Sequence, residues 1–186
     1  GDKPTVLWSC HTDTVHKKSG KQNIQIDDNG LITLAPNDRS NCLGADDGAG
    51  VWLMCEMIKA KKPGLYVFHA NEEHGGCGSA FIVDHTPELL KGIQYAIAFD
   101  RRGVTDVITH QGFERCCSDA FAGELARRLN VLMTAQGQTA QLAPSDEGIF
   151  TDTANYTRLI PECTNISVGY YCEHTKNENL NSRYLL

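Results

Sequence analysis

Five short stretches of this 186-residue chain concentrate histidine and carboxylate side chains. They are His11-Thr12-Asp13, Gly44-Ala45-Asp46-Asp47-Gly48, Asn71-Glu72-Glu73-His74-Gly75, Phe99-Asp100 and Tyr171-Cys172-Glu173-His174. Carboxylates gathered in one place repel and raise one another's pKa. A divalent cation relieves that repulsion, so the pattern reads as a metal site rather than a structural face. His11 and Asp13 are two apart and point the same way on an extended chain. Asp13 can then accept the ring N–H of His11 and fix its tautomer. Asp46 sits in a Gly-rich turn, and the two oxygens of a carboxylate can bridge two ions. Glu72 and Glu73 are neighbours and diverge on an extended chain. One therefore suits a metal, and the other suits general-base work on a bridging water. Two ions about 3.5–4 Å apart would hold such a water and polarise a scissile carbonyl.

The elements that must gather these residues follow from the hydrophobic pattern. Short apolar or alternating runs at 5–10, 23–27, 31–34, 65–70, 95–99, 107–109 and 165–168 read as strands. Asn29-Gly30 reads as a two-residue hairpin turn between the second and third. Val51, Met54, Cys55 and Ile58 recur at helix spacing within 49–61, and Pro63-Gly64 stops that helix. Residues 118–130 form a second helix, capped by Ser118, with Phe121, Ala122, Leu125 and Leu129 as its apolar stripe. A shorter helix opens at Thr151-Asp152. Strands alternating with helices predict an α/β fold with helices on both faces of the sheet. In such folds the ligand site lies beyond the carboxyl ends of the strands, where four of the five stretches fall.

In order and spacing the chain resembles the co-catalytic di-zinc exopeptidases: peptidase T, the glutamate carboxypeptidases and the bacterial leucyl aminopeptidases. The segments that carry the resemblance are His11-Thr12-Asp13-Thr14-Val15, Leu43-Gly44-Ala45-Asp46-Asp47-Gly48-Ala49-Gly50, Glu72-Glu73-His74-Gly75-Gly76-Cys77-Gly78-Ser79, Ala98-Phe99-Asp100 and Gly169-Tyr170-Tyr171-Cys172-Glu173-His174-Thr175. The resemblance implies a three-layer αβα sandwich of the phosphorylase/hydrolase-like kind, with a mixed, mostly parallel sheet. It implies two divalent ions, zinc above cobalt or manganese. His11 and Asp100 would complete one site, Glu73 and His174 the other, and Asp46 would bridge. Glu72 would be the general base and Asp13 the residue that orients His11. A cis peptide between Asp46 and Asp47 is also implied. Peptidase T and the carboxypeptidases carry a lid domain after the aspartate equivalent to Asp100. Only 73 residues separate Asp100 from His174 here, so no lid of about 50 residues or more fits beside the helices expected there. An open site favours an aminopeptidase or a di- or tripeptidase.

Other polar residues near these segments read more plainly. Asp47 reads as a solvated turn carboxylate, with a third-ligand role as the alternative. His16, His74 and His110 read as loop or rim residues, with His74 best placed to touch substrate. His69 reads as a satisfied, partly buried strand residue. Arg101-Arg102 reads as a solvated or ion-paired loop, with a substrate-carboxylate anchor as the alternative. One of Tyr170 and Tyr171 is expected to pack, which leaves the other as a candidate oxyanion donor. Asp152 reads as a helix cap near the pocket.

Composition sets the frame. Charged residues make up 22% and the net charge is −6, which argues against a nucleic-acid or anionic-membrane surface. No apolar run approaches the roughly 20 residues a membrane span needs. Eight cysteines without a C-x-x-C pair read as free thiols in a reducing, cytoplasmic compartment. A single domain over residues 1–186 is expected, cut from a longer protein at both ends. Its partner is a peptide or small amide, and the sequence leaves its oligomeric state open. A deacylase or carboxypeptidase with the same metal site is the alternative, and an inactive binding domain is the alternative of another class.

Overall fold

The computed structural model describes residues 3–139 and 141–185. Its elements run β1 (Val6–His11), β2 (Ile24–Ile26), β3 (Leu31–Leu34), α1 (Ala45–Lys59), β4 (Leu65–His69), α2 (Cys77–His85), β5 (Tyr95–Arg101), β6 (Asp106–Ile108), β7 (His110–Gln111) and β8 (Glu114–Arg115). They continue through α3 (Asp119–Ala135), β9 (Ala143–Ser145), β10 (Glu162–Ser167), β11 (Tyr170–Tyr171), β12 (Asn179–Asn181) and α4 (Ser182–Leu185). Short 3-10 helices occupy Pro87–Leu90 and Asp152–Tyr156.

Six strands form the main sheet in the order β4-β1-β5-β10-β6-β9. The first four are mutually parallel, and β6 turns antiparallel to β10 and carries β9 beside it. Side-chain alternation on β5 shows how the layers form. Ile97 and Phe99 face a core that also holds Met54 of α1 and Ala122 and Ala126 of α3. Ala96 faces the opposite core, with Leu7, Leu90, Tyr156 and Ile160, against which Ile82 and Val83 of α2 pack. The sheet is thus covered on both sides, as the strand–helix alternation predicts. Each fully buried aliphatic side chain in these cores, such as Leu7 and Met54, contributes about 1.5–3 kcal/mol.

Local chemistry explains the ends of the elements. Ser118 Oγ accepts the Phe121 N–H at 3.1 Å and caps α3. Pro63-Gly64 stops the chain after α1, and the Trp8 indole lies where a Gly64 side chain would stand. Trp8 Nε1 donates to Pro63 O at 3.1 Å, which fixes the turn against β1.

Several features depart from the sequence expectation. Strand β10, expected over 165–168, begins earlier, at Glu162, and ends at Ser167. The β2–β3 connection is longer than two residues: Asp27 Oδ1 accepts the N–H of Asn29 and of Leu31, and Gly30 takes φ +79 at its end. The helix at Asp152 is a five-residue 3-10 turn whose N-terminus has no side-chain cap. Helix α2 and strands β11 and β12, which extend the β2–β3 pair into a second, antiparallel sheet in the order β11-β12-β3-β2, had no counterpart in the sequence reading. All eight cysteines are free, and five are buried. No helix among the described residues is long and apolar enough to cross a membrane.

Candidate metal centre

The site stands at the carboxyl ends of the parallel strands. β1 ends in His11, β5 carries Asp100 as its penultimate residue, and Glu72-Glu73 follow β4. Asp46 stands at the start of α1, where Asp46 and Asp47 are not helical and the peptide between them is cis. His174 lies in the connection between β11 and β12, with a left-handed backbone at φ +63. The second sheet therefore supplies the last of the five residues.

These five side chains meet. His11 Nε2 is 3.0 Å from Asp46 Oδ1 and 3.5 Å from Asp100 Oδ1. His174 Nε2 is 3.1 Å from Asp46 Oδ2 and 2.9 Å from Glu73 Oε1. Asp46 thus turns one oxygen to each histidine, and two three-residue groups, His11-Asp46-Asp100 and Asp46-Glu73-His174, share it. Within each group the donor atoms lie within 4.8 Å of one another, which suits one cation per group. Glu72 opens onto the same recess of about 370 Å³, together with Ile149, Phe150 and Glu173.

The electrostatics match a place made for positive charge. Burial lifts the Glu72 carboxyl to about 8, with the Asp100 charge adding to it. Burial raises Glu73 as well, helped by Asp46. Asp100 is raised by burial against the opposing pull of His11. Burial alone would depress the His11 imidazole, but Asp100 and Asp46 outweigh it and push the ring up. Three carboxylates around one buried and one exposed imidazole fit divalent cations, and the donor set of two histidines and three carboxylates contains no thiolate.

The surroundings hold these groups in place. Asp100 Oδ2 accepts the Thr151 hydroxyl at 2.6 Å, and Oδ1 accepts the Tyr170 hydroxyl at 3.2 Å. The Asn165 side chain clamps the Asp100 main chain, accepting its N–H at 2.9 Å and donating to its carbonyl at 2.7 Å. Sequence patterning offered no signal for Thr151 or Asn165, since both act across more than 50 positions of chain.

Some roles differ from those read in the sequence. The carbonyl of Asp13, rather than its carboxylate, takes His11 Nδ1, at 2.9 Å. Its carboxylate, 3.6 Å from that nitrogen, accepts the main-chain N–H groups of Glu72 and Glu73 at 3.1 and 3.2 Å. Asp47 is neither ligand nor solvated: it is fully buried and accepts the N–H of His11 and of Gly50. His69 is fully buried and neutral, with burial depressing it to about 4. Its Nδ1 donates to Cys10 O at 3.1 Å, and Nε2 accepts the Tyr156 hydroxyl at 2.7 Å. Asp152 lies beside it, 3.3 Å from Nδ1, buried and raised to about 6 by that burial. Arg101 pairs with Asp106 at 2.8 Å and Arg102 with Glu173 at 3.1 Å, the ion-paired reading. Tyr170 is buried with its hydroxyl on Asp100, and Tyr171 is exposed. His74 is exposed and does not line the recess.

The profile of Peptidase family M28 matches residues 1–182, and the chain belongs to that family. It is a hydrolase of the metallopeptidase class. Among solved structures it is similar to the aminopeptidase PepT of Bacillus cereus, at 16% identity and a TM-score of 0.65, over 98% of this chain and 77% of that one. A tripeptidase of Staphylococcus aureus gives 14% identity and a TM-score of 0.67, again over 98% and 77%. The LapA aminopeptidase of Legionella pneumophila gives 17% and 0.61, over 94% of this chain and 44% of that one. At these identities the three share its fold. No curated protein sequence matches the chain.

Proposed function

We propose that the chain is an aminopeptidase that releases the first residue of short peptides, using two divalent ions, zinc above others. In this reading His11 and Asp100 hold one ion, Glu73 and His174 the other, and Asp46 bridges. The observation that carries it is the division of Asp46 between two histidines on the rim that Glu72 also faces. When bound, such ions supply Lewis acidity and lower the pKa of the attacking water. Glu72 takes the proton from that water and delivers it to the leaving amine. Asp13 holds the Glu72–Glu73 main chain, so the base keeps its place while it exchanges the proton. His11 and His174 would each offer Nε2 to a cation.

The recess favours an amine over a carboxylate at its inner end. Glu72 and Glu173 line it outside the two cation groups and would attract an α-ammonium group. Arg101 and Arg102, the cations beside it, are both engaged with carboxylates and leave no free guanidinium for a substrate carboxylate. The same pairing counts against the carboxypeptidase alternative. A single catalytic unit without a lid, spanning the whole chain, belongs to this proposal, as does a cytoplasmic setting.

Amino-acid anilides and dipeptides, offered beside N-acylated amino acids with zinc present, test it. The wild-type chain should cleave the first two and spare the third. Glu72→Gln should lose about 10²–10⁴-fold in kcat while retaining its metal. Cleavage of the acylated substrates alone would turn the assignment to a deacylase. Undiminished turnover in Glu72→Gln would remove that residue as the base.

A further inference from the structure

Glu178 is a carboxylate that no chemical step above uses, and it is 1% exposed. Among the described residues no cation pairs with it. Instead Oε2 accepts the main-chain N–H of Leu43 at 2.7 Å and of Gly44 at 2.9 Å, and Oε1 accepts that of Asp46 at 3.0 Å. Three convergent amides form a concave anion site, which Gly44 makes possible by taking φ +80. Hydrogen bonds to a charged acceptor are about twice as strong as neutral ones, and they matter most where water is excluded.

The position of Glu178 gives this contact its meaning. It lies four residues after His174, in a loop closed on itself. The Glu178 N–H donates to Thr175 O at 3.1 Å, and the Thr175 hydroxyl donates to Cys172 O at 2.7 Å. One end of this loop carries His174 to the site, and the other grips the turn that carries Asp46. Asp46 and His174 are 128 positions apart in the chain, and their side chains meet at 3.1 Å.

We propose that Glu178 is a positioning residue for the metal centre: its carboxylate locks the Asp46 turn to the His174 loop and so sets the distance between two donors of one ion. The inference rests on the metal-centre reading above. It predicts that Glu178 governs metal affinity without touching metal or substrate. The Gln side chain has nearly the same shape but presents an N–H₂ group to amides that can only donate. One contact of the cradle is therefore lost and the charge with it.

Zinc titration of the wild-type chain, Glu178→Gln and Glu178→Asp, by calorimetry or competition with a chromophoric chelator, tests it, with circular dichroism as the check on folding. Glu178→Gln should bind zinc about 10–100-fold more weakly, the range seen when groups that orient metal ligands are removed. The loss should be larger for one of the two ions, excess zinc should recover activity, and Glu178→Asp should regain part of the affinity. A folded Glu178→Gln with wild-type affinity and stoichiometry overturns the proposal. If Glu178→Gln does not fold, Glu178→Asp decides: weakened zinc binding supports the proposal, and wild-type binding overturns it. Failure of both variants to fold overturns it in favour of a purely structural role. A wild-type chain that binds no zinc overturns the metal-centre reading and this inference together, whereas normal wild-type binding with unaffected variants overturns this inference alone.

Discussion

Thr151→Val is the substitution that most directly probes how the site is held. Valine keeps the shape of threonine and removes only the hydroxyl. That hydroxyl is 2.6 Å from Asp100 Oδ2, and Thr151 is 1% exposed, so water cannot replace it without rearrangement. A hydrogen bond to a charged group contributes about 1.5–3 kcal/mol. Asp100 keeps the Tyr170 hydroxyl on its other oxygen, at a longer 3.2 Å, so the carboxylate is loosened rather than released. In the metal-free protein the loss should lower Tm by roughly 3–12 °C, at about 2–4 °C per kcal/mol for a domain of this size. In the metal-bound protein the loosened ligand should weaken zinc binding about 10–100-fold. Calorimetric melting without metal and zinc titration measure the two effects, and Thr151→Ser, which restores the donor, should recover both. If Thr151→Val melts and binds zinc as the wild type does, the hydroxyl does not hold Asp100 and the account of the ligand cage is wrong.

Other outcomes follow from the same geometry. Adding zinc at 100–1,000 times its Kd should stabilise the chain by about 2.7–4.1 kcal/mol, and EDTA should remove that gain; an unchanged melt would mean that no metal binds the native state. His69 is held to about 4 by burial, below its ordinary value near 6.5, so the unfolded chain binds the extra proton first as pH falls. Its contribution is present above about pH 6.5 and is lost toward pH 4, up to about 3 kcal/mol. Urea unfolding of the wild type and His69→Gln across that range should show the difference between them shrinking with acid, and a constant difference would contradict it.

The parts of the fold visible in the sequence share a physical cause. β1, β4 and β5 are apolar runs that end abruptly in polar residues, because buried parallel strands emerge at one rim. The residues at that rim were therefore readable as a set. Helix α2 was hidden because Gly75, Gly76 and Gly78 sit at its start, and glycine is a weak helix former. Strands β11 and β12 of the second sheet were hidden because they have two and three residues, and Asn179-Leu180-Asn181 carries little strand propensity. The clamps on the site were least visible. Thr151, Asn165 and Glu178 act through hydrogen bonds to groups far away in the chain, and no local pattern encodes such pairings. Asp13 shows the same limit at short range: its spacing from His11 suggested a carboxylate contact, yet the main-chain carbonyl lies closer.

The two donors that face Asp46 come from opposite ends of the numbering, His11 from the first strand and His174 from the connection after β11. During synthesis the first of them is added to the chain while the last is still 163 residues from being made. A nascent chain can present single histidines and carboxylates to metal, but the paired geometry arises only after the parallel strands have closed around one another. On the proposed metal-centre reading, metal capture at this rim follows, and certifies, the completion of the sheet.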